Sequence, residues 1–180
     1  MGISGGGEQM NTDELVEMLK EKGLEVKIQS KMAGVKKKVE RKSLWVDVER
    51  DRLKEIVGLL VENAEEFPHF CVASTSDIGD KVEINYHFTI NFGYQLEEIQ
   101  ITFRVTIPKN DLWVPTLTDI VPATIFSERE LREMTGIEIE GLPDKRHLFL
   151  TKDFPDGVYP WRRDETAPKD LNKLYEGWKE

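Results

Sequence analysis

A chain of 180 residues with 39% hydrophobic and 33% charged residues has the length and composition of one folded domain with a densely charged surface. Its formal charge of -9 sets the molecule as a whole against nucleic acid and anionic lipid. A single cysteine, Cys71, excludes an internal disulfide and a self-contained iron–sulfur cluster, and no apolar run approaches the roughly 20 residues that cross a bilayer.

Residues 1–10 are glycine-rich without an apolar stretch and are expected to form a flexible lead, not a signal peptide. A helix is predicted over 12–22, capped by Asn11 or Thr12, striped by Leu15, Met18 and Leu19, and stopped by Gly23. Alternation over 24–29 predicts a strand. The basic run Lys31, Lys36, Lys37, Lys38, Arg41 and Lys42 then reads as an edge hairpin, since lysine discourages unwanted pairing. It carries no interleaved aromatics on which bases could stack. Leu44, Val46 and Val48 continue into a strand.

Residues 50–64 place Leu53, Ile56, Val57, Leu60 and Ala64 on one helical face, and 70–74 reads as a strand after Pro68. Strict alternation over Val82–Ile90 and again over Ile99–Ile107 predicts two half-buried strands joined around Gly93. A third helix is predicted over 122–135, with Pro122 in its first turn and Gly136 ending it. Beyond 150 the prolines at 155, 160 and 168 exclude long regular structure until a short helix whose face carries Leu171, Leu174, Tyr175 and Trp178. The pattern is an α+β fold: a mainly antiparallel sheet on amphipathic helices over 11–150, followed by an extended C-terminal arm over 151–180.

Catalytic machinery is hard to assemble from these residues. His69, His87 and His147 fall on separate elements and in no zinc spacing. Cys71, in an apolar strand, is expected to be a small core residue. No phosphate-binding glycine motif is present. The densest polar feature is Ser127 to Gly136, where Glu128/Arg132 and Arg129/Glu133 are spaced as i, i+4 opposite charges. Such pairs contribute about 0.2–0.5 kcal/mol each on an exposed face. The segment reads either as a solvated, salt-bridged helix face or as a charged docking face for a partner.

Glu128-Arg129-Glu130 with Glu133 resembles the ErExxD/E signature of the thirty-kilodalton (C-type) subunit family of respiratory complex I. The resemblance continues upstream in Val114-Pro115-Thr116-Leu117-Thr118-Asp119, and downstream in Gly136-Ile137 and Glu140-Gly141-Leu142-Pro143-Asp144-Lys145-Arg146. Asp153-Phe154-Pro155 and Tyr159-Pro160-Trp161-Arg162-Arg163-Asp164 follow in the family's order. Leu142 stands where complex I members usually carry His, and the Gly-Leu-Pro-Asp form is more similar to the membrane-bound [NiFe]-hydrogenase branch.

The resemblance implies a non-catalytic structural subunit of a ferredoxin-linked, ion-translocating hydrogenase complex, peripheral on the cytoplasmic side of the membrane. It implies no cofactor in this chain, with iron–sulfur clusters and a [NiFe] centre on neighbours. The partners implied are a large D-like [NiFe]-type subunit and a small B-like iron–sulfur subunit, with no nucleic acid. A quinone- or sulfane-reducing relative is the first alternative, and a free-standing binding module the second. Glu128, Arg129, Glu130, Glu133, Arg146, Tyr159, Trp161, Arg162 and Arg163 are the expected interface residues, Trp, Tyr and Arg being the types that anchor interfaces.

Overall fold

The computed structural model describes residues 10–35, 38–94 and 97–168. In chain order the elements are helix α1 (Thr12–Glu21), strands β1 (Val26–Ala33) and β2 (Val39–Asp47), helix α2 (Arg50–Asn63), strands β3 (His69–Asp77), β4 (Lys81–Ile90) and β5 (Ile99–Pro108), the short strand β6 (Trp113–Pro115), helix α3 (Ile125–Thr135) and the short strand β7 (Glu138–Glu140). A single 3-10 turn, Pro122–Thr124, leads into α3.

Five strands form one sheet in the order β1-β2-β5-β4-β3. Every pairing is antiparallel except β2 with β5, which run parallel because α2 and the β3–β4 hairpin lie between them in sequence. The parallel neighbour relation was not readable from the strand patterns, which are the same for either direction. A second, two-stranded ribbon pairs β6 with β7 in parallel, Val114 opposite Ile139. At three residues each, these strands are too short to carry a period-two signal.

The alternating residues meet as expected. Val82, Ile84, Tyr86 and Phe88 of β4 face Ile107, Val105, Phe103 and Ile101 of β5, and all eight are buried. Leu15 and Leu19 of α1, Leu53, Ile56, Val57 and Leu60 of α2, and Leu131 of α3 cover that face. Burial of such side chains contributes on the order of 1.5–3 kcal/mol apiece, the main term holding the layers together. Asn11 starts α1 with a full capping box, its Oδ1 accepting from Asp13 N and Glu14 N while the Glu14 carboxylate accepts from Asn11 N.

The opposite sheet face is polar. His87 sits there as expected, its ring nitrogens 3.0 Å from Ser74 Oγ and 2.9 Å from Thr102 Oγ1, with Trp45 edge-on. Burial holds its pKa below the usual histidine value. Cys71 departs from expectation. It points outward next to buried Phe70, at a register shift between Phe70 and Val72, and is exposed, 3.3 Å from Thr89 Oγ1. The shift breaks the alternation, so Cys71 and Val72 both face outward while Phe70 and Ala73 are buried on the core face.

No helix among the described residues is long and apolar enough to cross a membrane. Most of the N-terminal lead and the helix expected over 171–178 lie outside the described residues.

Candidate functional site

Helix α3 is the axle of the molecule's polar half. The turn before it, the loop after β7 and the C-terminal segment all close around it. Pro122 begins the 3-10 turn, where a missing N–H costs nothing, and Gly136 ends the helix at φ 71°, the left-handed conformation that suits glycine.

The charges of α3 are not a solvated face. Glu128 is fully buried: its Oε2 accepts from Thr116 Oγ1 at 2.5 Å and its Oε1 from Leu117 N at 2.8 Å. Burial raises its pKa above the ordinary glutamate value, opposed by these hydrogen bonds. The Tyr86 hydroxyl is buried without a hydrogen-bond partner, and burial together with the Glu128 charge raises its pKa well above the usual value. Glu133 is also buried, accepting from Leu148 N and Phe149 N at 2.8 Å each, with His147 Nδ1 at 3.4 Å. Glu130 is half-buried, its pKa raised by burial and by the Glu133 charge.

The arginines act on the same loop from the other side. Arg129 donates Nε and an amino group to the Arg146 carbonyl and an amino group to the His147 carbonyl, and it lies 3.4 Å from Asp144. Arg132 donates to the Lys145 carbonyl at 3.0 Å and sits 3.9 Å from Glu138. The i, i+4 pairs expected from sequence spacing do not form. The carboxylates turn to backbone N–H groups and the guanidiniums to carbonyls, so the helix side chains supply partners for the polar backbone of the loop beside them. The signature residues therefore clamp the 144–149 loop and the 116–118 turn onto one helix. Helical spacing held no sign of this, because it says which residues share a face and not what covers that face.

Over its described residues, 151–168, the C-terminal segment has no regular secondary structure, in keeping with its prolines, and over 158–166 it packs back on the domain instead of standing away from it. Trp161 N donates to Met134 O at 2.9 Å and Arg162 Nε to Thr135 O at 2.7 Å, so the tail satisfies carbonyls left open at the end of α3. The Tyr159 ring lies directly over Gly136, and the Arg162 guanidinium sits 5.8 Å from the Tyr159 ring centre.

Two aspartates and a lysine complete the closure. Lys109 Nζ lies 2.7 Å from Asp77 Oδ2 and 2.5 Å from Asp164 Oδ2, and Asp77 Oδ2 also accepts from Arg163 N at 2.8 Å. Burial alone would raise the Asp77 pKa, but the Lys109 ammonium and the Arg163 and Gly79 N–H groups hold it below the usual value. Asp164 is held well below the usual range, chiefly by Lys109 and then by Thr166. Asp77 and Lys109 escaped sequence reasoning, because each is an ordinary charge at a strand end until the tail folds over it.

Of the nine expected interface residues, Glu128, Glu133, Arg129 and Arg162 are thus turned inward. The Arg162 side chain, expected at the interface, is 7% exposed and donates to the Thr135 carbonyl. Arg146, Trp161 and Arg163 are not enclosed in this way, the Arg146 side chain being 84% exposed even while it grips Asp144 Oδ1 and Oδ2 at 2.9 and 2.7 Å. Phe149 and Phe126, not anticipated, are each 61% exposed, close in sequence to Arg146 and Glu128. Among the described residues no group of His, Cys, Asp and Glu is placed to hold a metal ion.

The family model for the respiratory-chain NADH dehydrogenase 30 Kd subunit matches residues 46–170. The chain is 35% identical over 134 residues to membrane-bound hydrogenase subunit beta of Pyrococcus furiosus, covering 74% of this chain and 76% of that one. It is 39% identical over 88 residues to formate hydrogenlyase subunit 5 of Escherichia coli, covering 47% of this chain but only 16% of that relative. In fold it is similar to a chain in the structure of the membrane-bound sulfane sulfur reductase, an archaeal respiratory membrane complex, with TM-score 0.67, 21% identity and coverage of 93% and 91% of the two chains. It is also similar to the trypsin-resistant fragment of Nqo5, with TM-score 0.56 over 75% of this chain and 99% of that one. The matched span takes in α3, both loops clamped to it and the tail that closes over it, and on this footing the chain belongs to the respiratory-chain NADH dehydrogenase 30 Kd subunit family.

Proposed function

We propose that this protein is a non-catalytic structural subunit of a membrane-bound, ferredoxin-linked [NiFe]-hydrogenase-type complex coupled to ion translocation, held peripherally on the cytoplasmic side of the membrane. The coarser statement, a subunit of a hydrogenase or complex I-related assembly, follows from its relatives. Likeness to the Pyrococcus hydrogenase subunit over three quarters of both chains favours the hydrogenase branch over the quinone-linked one. C-type NADH-quinone oxidoreductase subunits match either at similar identity over less of their length, 34% over 46% of the Ruegeria pomeroyi protein, or at lower identity, 27% over 60% of the Saccharopolyspora erythraea protein.

The observation that carries the structural role is the fate of the signature charges. Glu128, Arg129, Glu133 and Arg162 are consumed in holding loops and tail to α3, which leaves them unavailable for chemistry. What they build is a rigid platform from which Arg146, Phe149, Trp161 and Arg163 project. Aromatic and arginine side chains on a fixed frame suit an interface with a large D-like subunit, because little entropy is lost on contact. Electrons would pass through iron–sulfur and [NiFe] centres on that subunit and on a small B-like subunit.

Purification of the tagged chain from native membranes in mild detergent tests this. Stoichiometric co-purification with a large, cysteine-pair-bearing partner and with an iron–sulfur protein is expected. Recovery of the chain as a monomer, or with bound nickel or iron of its own, would overturn it.

A further inference from the structure

The β1–β2 ribbon carries a concentrated positive charge on an acidic protein. Lys27, Lys31, Arg41 and Lys42 lie on its strands and Lys38 directly before β2, outnumbering the strands' two carboxylates, Glu40 opposite Met32 and Asp47 paired with Lys27, against the overall charge of -9. Strand β2 pairs with β5 only from Ser43 to Asp47, yet β1 and β2 stay paired beyond that point, from Ser30 opposite Lys42 out to Ala33 opposite Val39. Among the described residues the ribbon therefore continues past the β2–β5 pairing with no third strand hydrogen-bonded to it. A two-stranded ribbon is at best marginally stable in water on its own.

Two features of the projecting part are unfavourable for a free surface. The register sets Lys31 directly opposite Arg41, two cations on the same face, an arrangement that destabilises a strand pair. Glu98 approaches Arg41 at 3.7 Å, while Lys31, Lys38 and Lys42 form no ion pair among the described residues. Met32 is 57% exposed on the other face, and Val35 near the tip is fully exposed. Cations facing one another and bare apolar side chains are both relieved by the same thing: an acidic surface with an apolar recess.

We propose that this ribbon is a second docking element, distinct from the α3 platform, and that its occupant is an acidic protein surface on a neighbouring subunit of the same complex. The inference rests on the assembly reading given under Proposed function. Carboxylates of that neighbour face Lys31, Lys38 and Lys42, and a shallow apolar site takes Met32 and Val35. A protein is favoured over a lipid surface on two counts. The charges and apolar side chains occupy both faces of the ribbon, which a cleft can engage together and a plane cannot. The negative charge of the rest of the domain also opposes approach to anionic lipid, whereas a protein can present carboxylates locally within the screening length of about 8 Å.

Zero-length carbodiimide cross-linking of the purified native complex, read by mass spectrometry, tests the contact. Amide links from Lys31, Lys38 or Lys42 to Asp or Glu of another subunit are expected. The triple variant K31E/K38E/K42E should lower incorporation of the chain into the complex by roughly tenfold at moderate salt, with the melting temperature of the isolated chain not lowered, since K31E also removes the like-charge pair with Arg41. Links confined to this chain or to a second copy of it, or full incorporation of the variant, would overturn the ribbon contact. So would normal assembly accompanied by lost binding to phosphatidylglycerol vesicles, which would mark a lipid contact instead. If the wild-type chain itself fails to co-purify with any complex, the assembly reading fails first. If wild type and variant both assemble, the ribbon contact alone is wrong.

Discussion

Glu128 accepts a hydrogen bond from the backbone N–H of Leu117 at 2.8 Å inside the core, so a residue of the family's charged signature acts as a buried staple between α3 and the turn that precedes it. The arrangement makes the position sensitive to both shape and pH. Glu128→Ala leaves the Leu117 N–H and the Thr116 hydroxyl buried without an acceptor, and should cost about 3 kcal/mol. That corresponds to a fall in Tm of roughly 6–12 °C for a domain of this size, measurable by calorimetry. Glu128→Gln keeps an acceptor for the N–H and should cost much less. Because burial raises the folded-state pKa, the folded protein holds this proton more tightly than the unfolded chain. Stability from this group therefore falls as pH rises from the ordinary glutamate value to the raised one and is level above it, a slope that Glu128→Gln should remove.

Gly136 and Gly157 offer a matched pair of tests. Both have positive φ, 71° and 75°, so an alanine at either carries the left-handed backbone cost of about 1–2 kcal/mol. Only at Gly136 would the new methyl also strike a ring, with two carbons of Tyr159 at 2.6 and 2.7 Å, while Gly157 has open space. Gly136→Ala should lower Tm clearly more than Gly157→Ala and should increase amide exchange at 159–163. Equal effects would mean that Tyr159 is not held against the helix end.

Lys109 is the pin of the C-terminal closure. Lys109→Met should release the 158–166 segment while leaving the sheet intact, seen as faster tryptic cleavage at Arg162 and Arg163 with little loss of circular dichroism. The same closure should respond to acid. Asp77 and Asp164 have pKa values lowered in the folded state, so their contribution is complete above the ordinary aspartate value and is lost as the pH falls below about 4. Amide exchange over 159–166 should rise in that range before the sheet opens.

Trp161 and Arg146 separate assembly from folding. Both side chains are exposed, so Trp161→Ala or Arg146→Ala should change the stability of the isolated chain by no more than about 1 kcal/mol. If they seat the large subunit, either substitution should reduce recovery of the complex several-fold, as truncation of interface anchors does. Removing everything after Asp153 is a poorer test, because it also strips Arg162 from Thr135 and Asp164 from Lys109 and so disturbs the domain itself.

The amino-acid sequence alone determined the elements whose period is long enough to count. The alternation of Val82–Ile90 and Ile99–Ile107, the stripe of α2, and the proline entry and glycine exit of α3 were legible because each is a local pattern imposed by backbone geometry, while the order of the signature motifs was legible only through their resemblance to a known family. The tertiary structure decided everything that depends on what covers a face. It made β2 and β5 parallel neighbours and turned Cys71 outward at an irregular register. It converted Glu128 and Glu133 from apparent surface charges into buried acceptors, and drew Arg162 inward onto Thr135. For the charges the physical reason is the same. A charge buried in a protein must find partners, those partners are backbone groups distant in the chain, and no spacing within a helix encodes them.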